Sequence, residues 1–131
     1  MKIVFINGVF DVLHTGHFRL LEYASTLGNH VVVALDSDER VKQLKGEDRP
    51  YHNLAQRKFN LESIIFVDEV LHFNSDKELE DLVKEISPDI MVVGSDYKNK
   101  KVIGSEYARE LYFFERIPEF STTKILIGDK S

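Results

Sequence analysis

Apolar positions along this chain fall into two alternating patterns. Short runs rich in β-branched and aromatic residues occupy positions 3–6 (IVFI), 30–35 (HVVVAL), 67–73 (VDEVLHF), 89–94 (DIMVVG) and 111–117 (LYFFERI). Each has the length of a strand, and the run at 30–35 is apolar enough to be buried on both faces. Between them lie segments of helical period. Residues 18–27 place Leu20, Leu21, Ala24 and Leu27 on one side. Residues 54–64 follow Asn53, a helix cap with Gln56 at the capping-box position. Residues 76–86 follow Ser75 and carry Leu79, Leu82, Val83 and Ile86 as a stripe, with Pro88 as the stop. A shorter helix is expected at 107–110. Residues 40–50, charged and weakly apolar with Gly46 and Pro50 as breakers, read as a loop. Strands joined through helices of this length form βαβ units, and hence a parallel sheet.

Composition narrows this to one domain covering residues 1–131, with 43% hydrophobic residues to build a core. No apolar run approaches the roughly 18–20 residues of a membrane span, and no signal-peptide pattern opens the chain. A soluble, cytoplasmic protein that stands alone from Met1 is expected. Cysteine is absent, which removes disulfides, thiolate metal sites and a cysteine nucleophile. A net charge of −5 argues against a nucleic-acid surface, because phosphate neutralisation needs a basic face. A polyanion must instead meet local clusters of positive side chains. Arg40, Lys42, Lys45 and Arg49 form one such cluster, and Lys98, Lys100 and Lys101 another.

The residues most able to do chemistry are 7–17, NGVFDVLHTGH, between the first strand and the first helix. His14 and His17, three apart at a helix start, project to the same side. The first-turn N–H groups there are expected to point outward without partners, completing an anion site. Gly16 removes a side chain where a large ligand approaches the backbone. Ser121, Thr122, Thr123 and Lys124 supply a second set of short donors suited to phosphate. Gly94, Ser95, Asp96 and Tyr97 leave the fourth strand at the same sheet edge. His72 is read as a strand-end surface residue, and Tyr112, Phe113 and Phe114 as core or a subunit contact.

The motif GxFDxxHxGH resembles the signature of the HIGH-superfamily nucleotidyltransferases, in the branch that includes glycerol-3-phosphate cytidylyltransferase and the heptose-1-phosphate adenylyltransferase domain. The run K42-x-x-K45-G-x-x-R49-P50, the GSDY turn at 94–97 and R116-x-x-x-x-S-T-T-K-I are similar to elements of the same branch. Glu119 departs from it, standing where relatives carry glycine. The resemblance implies an α/β fold, a Rossmann-like parallel sheet of about five strands with helices on both faces. It implies transfer of a nucleoside monophosphate from a nucleoside triphosphate, ATP favoured, to a phosphorylated sugar or polyol such as a heptose 1-phosphate. Pyrophosphate is the leaving group. The alternatives are a CTP-dependent glycerol-3-phosphate enzyme and a non-catalytic nucleotide-binding module. His14, His17, Lys45 and Arg116 take catalytic positions in this reading. Gly8, Val9, Phe10, Gly16, Arg57, Gly94, Asp96, Tyr97, Ser121, Thr122, Thr123 and Lys124 line the nucleotide. Mg²⁺ is implied, with Asp11 or Asp96 as carboxylate ligand, although either can equally serve its own turn. A homodimer is the expected assembly.

Overall fold

The computed structural model describes residues 1–115 of the protein. Strands β1 (Ile3–Gly8), β2 (His30–Asp36), β3 (Glu69–Phe73), β4 (Ile90–Gly94) and β5 (Glu110–Phe114) alternate with helices α1 (Thr15–Leu27), α2 (Asp38–Lys45), α3 (Leu54–Glu62) and α4 (Asp76–Ile86). The five strands form one sheet in the order β3-β2-β1-β4-β5, and every neighbouring pair is parallel. The chain builds outward from β1 to one edge and then returns to build the other. The reversal lies between β1 and β4, where ligands bind in open sheets of this kind.

Successive strand side chains point to opposite faces, and the core divides accordingly. Val4, Ile6, Val31, Val33, Leu35, Ile90 and Val92 gather on one side with Leu21 and Ala24 of α1 and Leu61 of α3. Phe5, Val32, Ala34, Met91 and Val93 gather on the other with Leu79 and Val83 of α4. Helices thus cover both faces, and the Rossmann-like expectation is met. No helix among the described residues is long and apolar enough to cross a membrane. His72 is exposed, while Tyr112, Phe113 and Phe114 are half-buried against the two clusters.

Three expectations need correction. Residues 40–45 are helical, not part of a loop: Ser37 Oγ caps the amide of Arg40 at 3.2 Å, and acidic Asp38 and Glu39 precede basic Lys42 and Lys45, in line with the helix dipole. Only Val41 is buried in α2, too sparse a stripe to register as a period. Gly46, at φ +112°, ends the helix and returns its amide to Lys42 O. The third strand starts at Glu69, because Asp68 is spent on Val31, donating to its carbonyl and accepting from its amide at 2.8 Å. The helix expected at 107–110 is a single 3₁₀ turn, Ser105–Tyr107, and Glu110 already belongs to β5.

Gly28 joins α1 to β2 against the start of β1. A Cβ there would lie 2.6 Å from Lys2 O and 2.8 Å from Val4 Cγ2, and the first of these is backbone that cannot swing aside. Gly28→Ala should therefore lower stability by about 2 kcal/mol, seen as a lower urea midpoint with an unchanged slope.

Candidate active site

At the carboxyl end of β1 the chain turns sharply. Phe10 adopts φ +50°, a left-handed conformation that costs a residue with a Cβ about 1–2 kcal/mol. Its ring is buried and lies 5.3 Å from the ring of His17. His14, in extended conformation, is the N-cap of α1. Its Nδ1 accepts from the amide of Gly16 at 3.0 Å, and the Nδ1 of His17 accepts from the amide of His14 at 3.2 Å. Two imidazoles thereby close a reciprocal cap that is usually built from Ser or Thr with Glu or Gln. Their ring centres lie 4.0 Å apart.

This cap fixes the tautomer. A backbone amide can only donate, so each Nδ1 must be an acceptor, and each neutral ring carries its proton on Nε2. The histidines are therefore arranged as a pair of Nε2–H donors. The expectation that the first-turn amides lack partners is corrected in part, since Gly16 N is taken by His14 Nδ1 and His14 N by His17 Nδ1.

Asp11 is buried, and both its oxygens are used by the segment that precedes α3. Tyr51 N donates at 2.7 Å and His52 N at 2.8 Å, with Arg49 Nε at 3.5 Å. Asp11 thus ties the turn after β1 to residues 51–52. No group of three or more His, Cys, Asp or Glu side chains able to hold a metal exists among the described residues.

Arg57 is fully buried in α3. Its Nε donates to His52 O at 3.0 Å, Nη1 to Val9 O at 3.1 Å and to Asp36 O at 2.8 Å, and Nη2 to Asp38 Oδ1 at 2.7 Å. Helical spacing already puts Arg57 on the same stripe as Leu54 and Leu61, a signal of inward orientation that its charge concealed. Arg40, read in sequence as part of a phosphate-facing cluster, is held by Asp36 and Asp76 and lies over the Phe73 ring. Burial lowers its pKa, but hydrogen bonds and charge attraction from Asp76 and Asp36 outweigh this, and the net shift is upward.

Topology brings Gly8, Val9, Phe10, His14, Gly16 and His17, which follow β1, to the same sheet edge as Gly94, which ends the neighbouring β4. Asp96 and Tyr97 follow in a 3₁₀ turn, with Tyr97 exposed and Lys100 Nζ 5.7 Å from its ring. Lys45 is exposed at the last turn of α2. A shallow cavity of about 220 Å³ opens between Asp38, Lys42, Pro50, Tyr51, Asn53 and Gln56. Arg116, Ser121, Thr122, Thr123 and Lys124 lie outside the described residues.

These features make an α/β domain with a histidine-capped helix at the carboxyl edge of a parallel sheet. The model of the cytidylyltransferase-like family matches residues 5–126, and the chain belongs to that family. It is 45% identical over 125 residues to the bifunctional protein HldE of Helicobacter hepaticus, covering 95% of this chain and 26% of that one. The bifunctional protein HldE of Campylobacter jejuni is 46% identical over 131 residues, covering 98% and 28%. The chain thus spans about a quarter of the length of these relatives. Among solved structures, a lipopolysaccharide core biosynthesis protein from Thermoplasma volcanium superposes with a TM-score of 0.70 at 23% identity, over 87% of this chain and 97% of its own. That likeness speaks for the fold alone.

Asp11→Asn would place an amide NH₂ against a backbone N–H and should cost about 1–3 kcal/mol in urea denaturation. Wild-type stability in this variant would remove the structural role assigned to the carboxylate.

Proposed function

We propose that the chain transfers a nucleoside monophosphate from ATP to a sugar phosphate such as a heptose 1-phosphate and releases pyrophosphate. The observation that carries this reading is the imidazole pair, which sets two Nε2–H donors side by side at the point where the sheet reverses order. Similarity to the bifunctional HldE proteins supports the choice of a sugar phosphate.

In this reaction a phosphate oxygen of the acceptor attacks the α-phosphorus in line. The bond from that phosphorus to the α–β bridging oxygen breaks, and the electron pair leaves with pyrophosphate. The acceptor phosphate is largely ionised near neutral pH, so no side chain need remove a proton. The task left to the protein is electrostatic. Donors that are already oriented stabilise the charge growing on the leaving oxygen more than they stabilise the ground state. Neutral Nε2–H groups suit this, because they are fixed by the helix cap and cost no reorganisation. Lys45, Arg116 and Lys124 would add positive charge along the triphosphate, and Ser121, Thr122 and Thr123 would add hydroxyl donors. Gly16, Gly94, Asp96 and Tyr97 would border the nucleoside.

The family description gives weight to a second reading, transfer from CTP to glycerol 3-phosphate. An assay of pyrophosphate release with each nucleoside triphosphate, Mg²⁺ and each acceptor separates the two. Turnover with ATP and heptose 1-phosphate supports the first reading, and turnover with CTP and glycerol 3-phosphate replaces it with the second. Binding without pyrophosphate from any pair would make the chain a nucleotide-binding module.

His17→Ala should lower kcat by about 100- to 1000-fold, the scale of losing one transition-state donor. Loss of its cap should cost only about 1 kcal/mol of stability, so circular dichroism should report a folded variant. A folded variant with unchanged kcat would strip the imidazole of its role.

A further inference from the structure

We infer that Arg57 is a positioning residue that holds the imidazole pair in place without touching the nucleotide. Its guanidinium binds four separate points: the turn after β1 at Val9, the end of β2 at Asp36, the first turn of α2 at Asp38 and the approach to α3 at His52. Fully buried and donating to protein acceptors at each nitrogen, it has no face left for a phosphate. The expectation from sequence that it lines the nucleotide pocket is thereby replaced.

The point that matters is Val9 O. The next residue, Phe10, is held in left-handed backbone, and the one after it, Asp11, is tied through both oxygens to Tyr51 N and His52 N. Strained backbone persists only where its surroundings over-determine it. Here Arg57 fixes the entry to the strained residue and Asp11 fixes its exit. The same His52 receives Arg57 at its carbonyl and donates its amide to Asp11, so the two restraints close on one segment. Phe10 then sets the height of His17, whose ring it meets at 5.3 Å, and His17 in turn caps His14. Freed from Arg57, the turn can relax out of φ +50°, carrying Phe10 away from beneath His17.

This inference rests on the nucleotide reading for one of its two readouts, so the experiment includes one that does not. Arg57→Lys keeps the charge beside Asp38, but an ammonium cannot reach Val9, Asp36 and His52 together. Leu61→Ala, on the same buried stripe of α3, serves as the control for simple loss of stability. Backbone hydrogen exchange in the ligand-free protein is read in peptides covering residues 8–18, 30–36 and 90–94. Arg57→Lys should speed exchange in 8–18 by about tenfold while both strand peptides keep wild-type rates, whereas Leu61→Ala should speed all three together. In the transfer assay Arg57→Lys should lower kcat/KM by about 100-fold, with KM for the nucleotide carrying part of the loss. Partial unfolding only dilutes active enzyme and leaves KM as it was. Wild-type exchange in 8–18, or acceleration matched in the strands, overturns the inference. A wild-type protein that turns over no nucleotide overturns the proposed function instead, and the exchange data still decide the role of Arg57.

Discussion

Where β1 and β2 end, Val9 O just past Gly8 and Asp36 O at the last residue of β2 need donors, and a buried carbonyl without one costs about as much as a lost hydrogen bond. In many folds water meets that need. Here Arg57 meets it from within, giving Nη1 to both Val9 O and Asp36 O. Putting a guanidinium in a core is unfavourable unless its donors are used, and the two requirements solve each other. The carboxyl edge of the sheet is thereby closed from beneath by a charged group, and it can carry an unusual turn above it.

That turn delivers the imidazoles in a defined chemical state. The cap that starts α1 uses the Nδ1 atom of each histidine, so protonating either ring at that nitrogen would break a backbone bond as well as add charge. Binding geometry and helix nucleation depend on the same contacts. A site built this way is rigid because its donors also hold secondary structure, and such rigidity is what electrostatic stabilisation of a transition state requires. The charged side chains on the neighbouring elements have partners of their own. Arg40 is neutralised by Asp36 and Asp76, Asp11 by two amides beside Arg49, and Asp38 by Arg57.

The sheet behind the turn is stiff for a different reason. Its central strands are apolar on both faces, with Val4 and Ile6 packed under α1 and α3 while Phe5 packs under α4. Close-packed interiors compress little, so the edge has a firm floor. Loops anchored to such a floor can present side chains with little play.

The sequence by itself determined the strands, the capped helices α3 and α4, the parallel α/β class and the segment that holds the histidines. These depend on local pattern and local capping, which are written in neighbouring residues: Ser75 before the stripe of Leu79 and Val83, Asn53 with Gln56, and the unbroken apolar runs of β1 and β2. Only the tertiary structure decided the strand order, the helical state of α2 and the employment of the charged groups. Whether Arg57 faces a phosphate or four protein acceptors, and whether Asp11 holds a metal or two amides, depends on partners up to 48 residues away in the chain. A charge has no period of its own. Its role is set by whichever opposite or polar group the fold brings within about 3 Å, and that distance exists only once the segments have met.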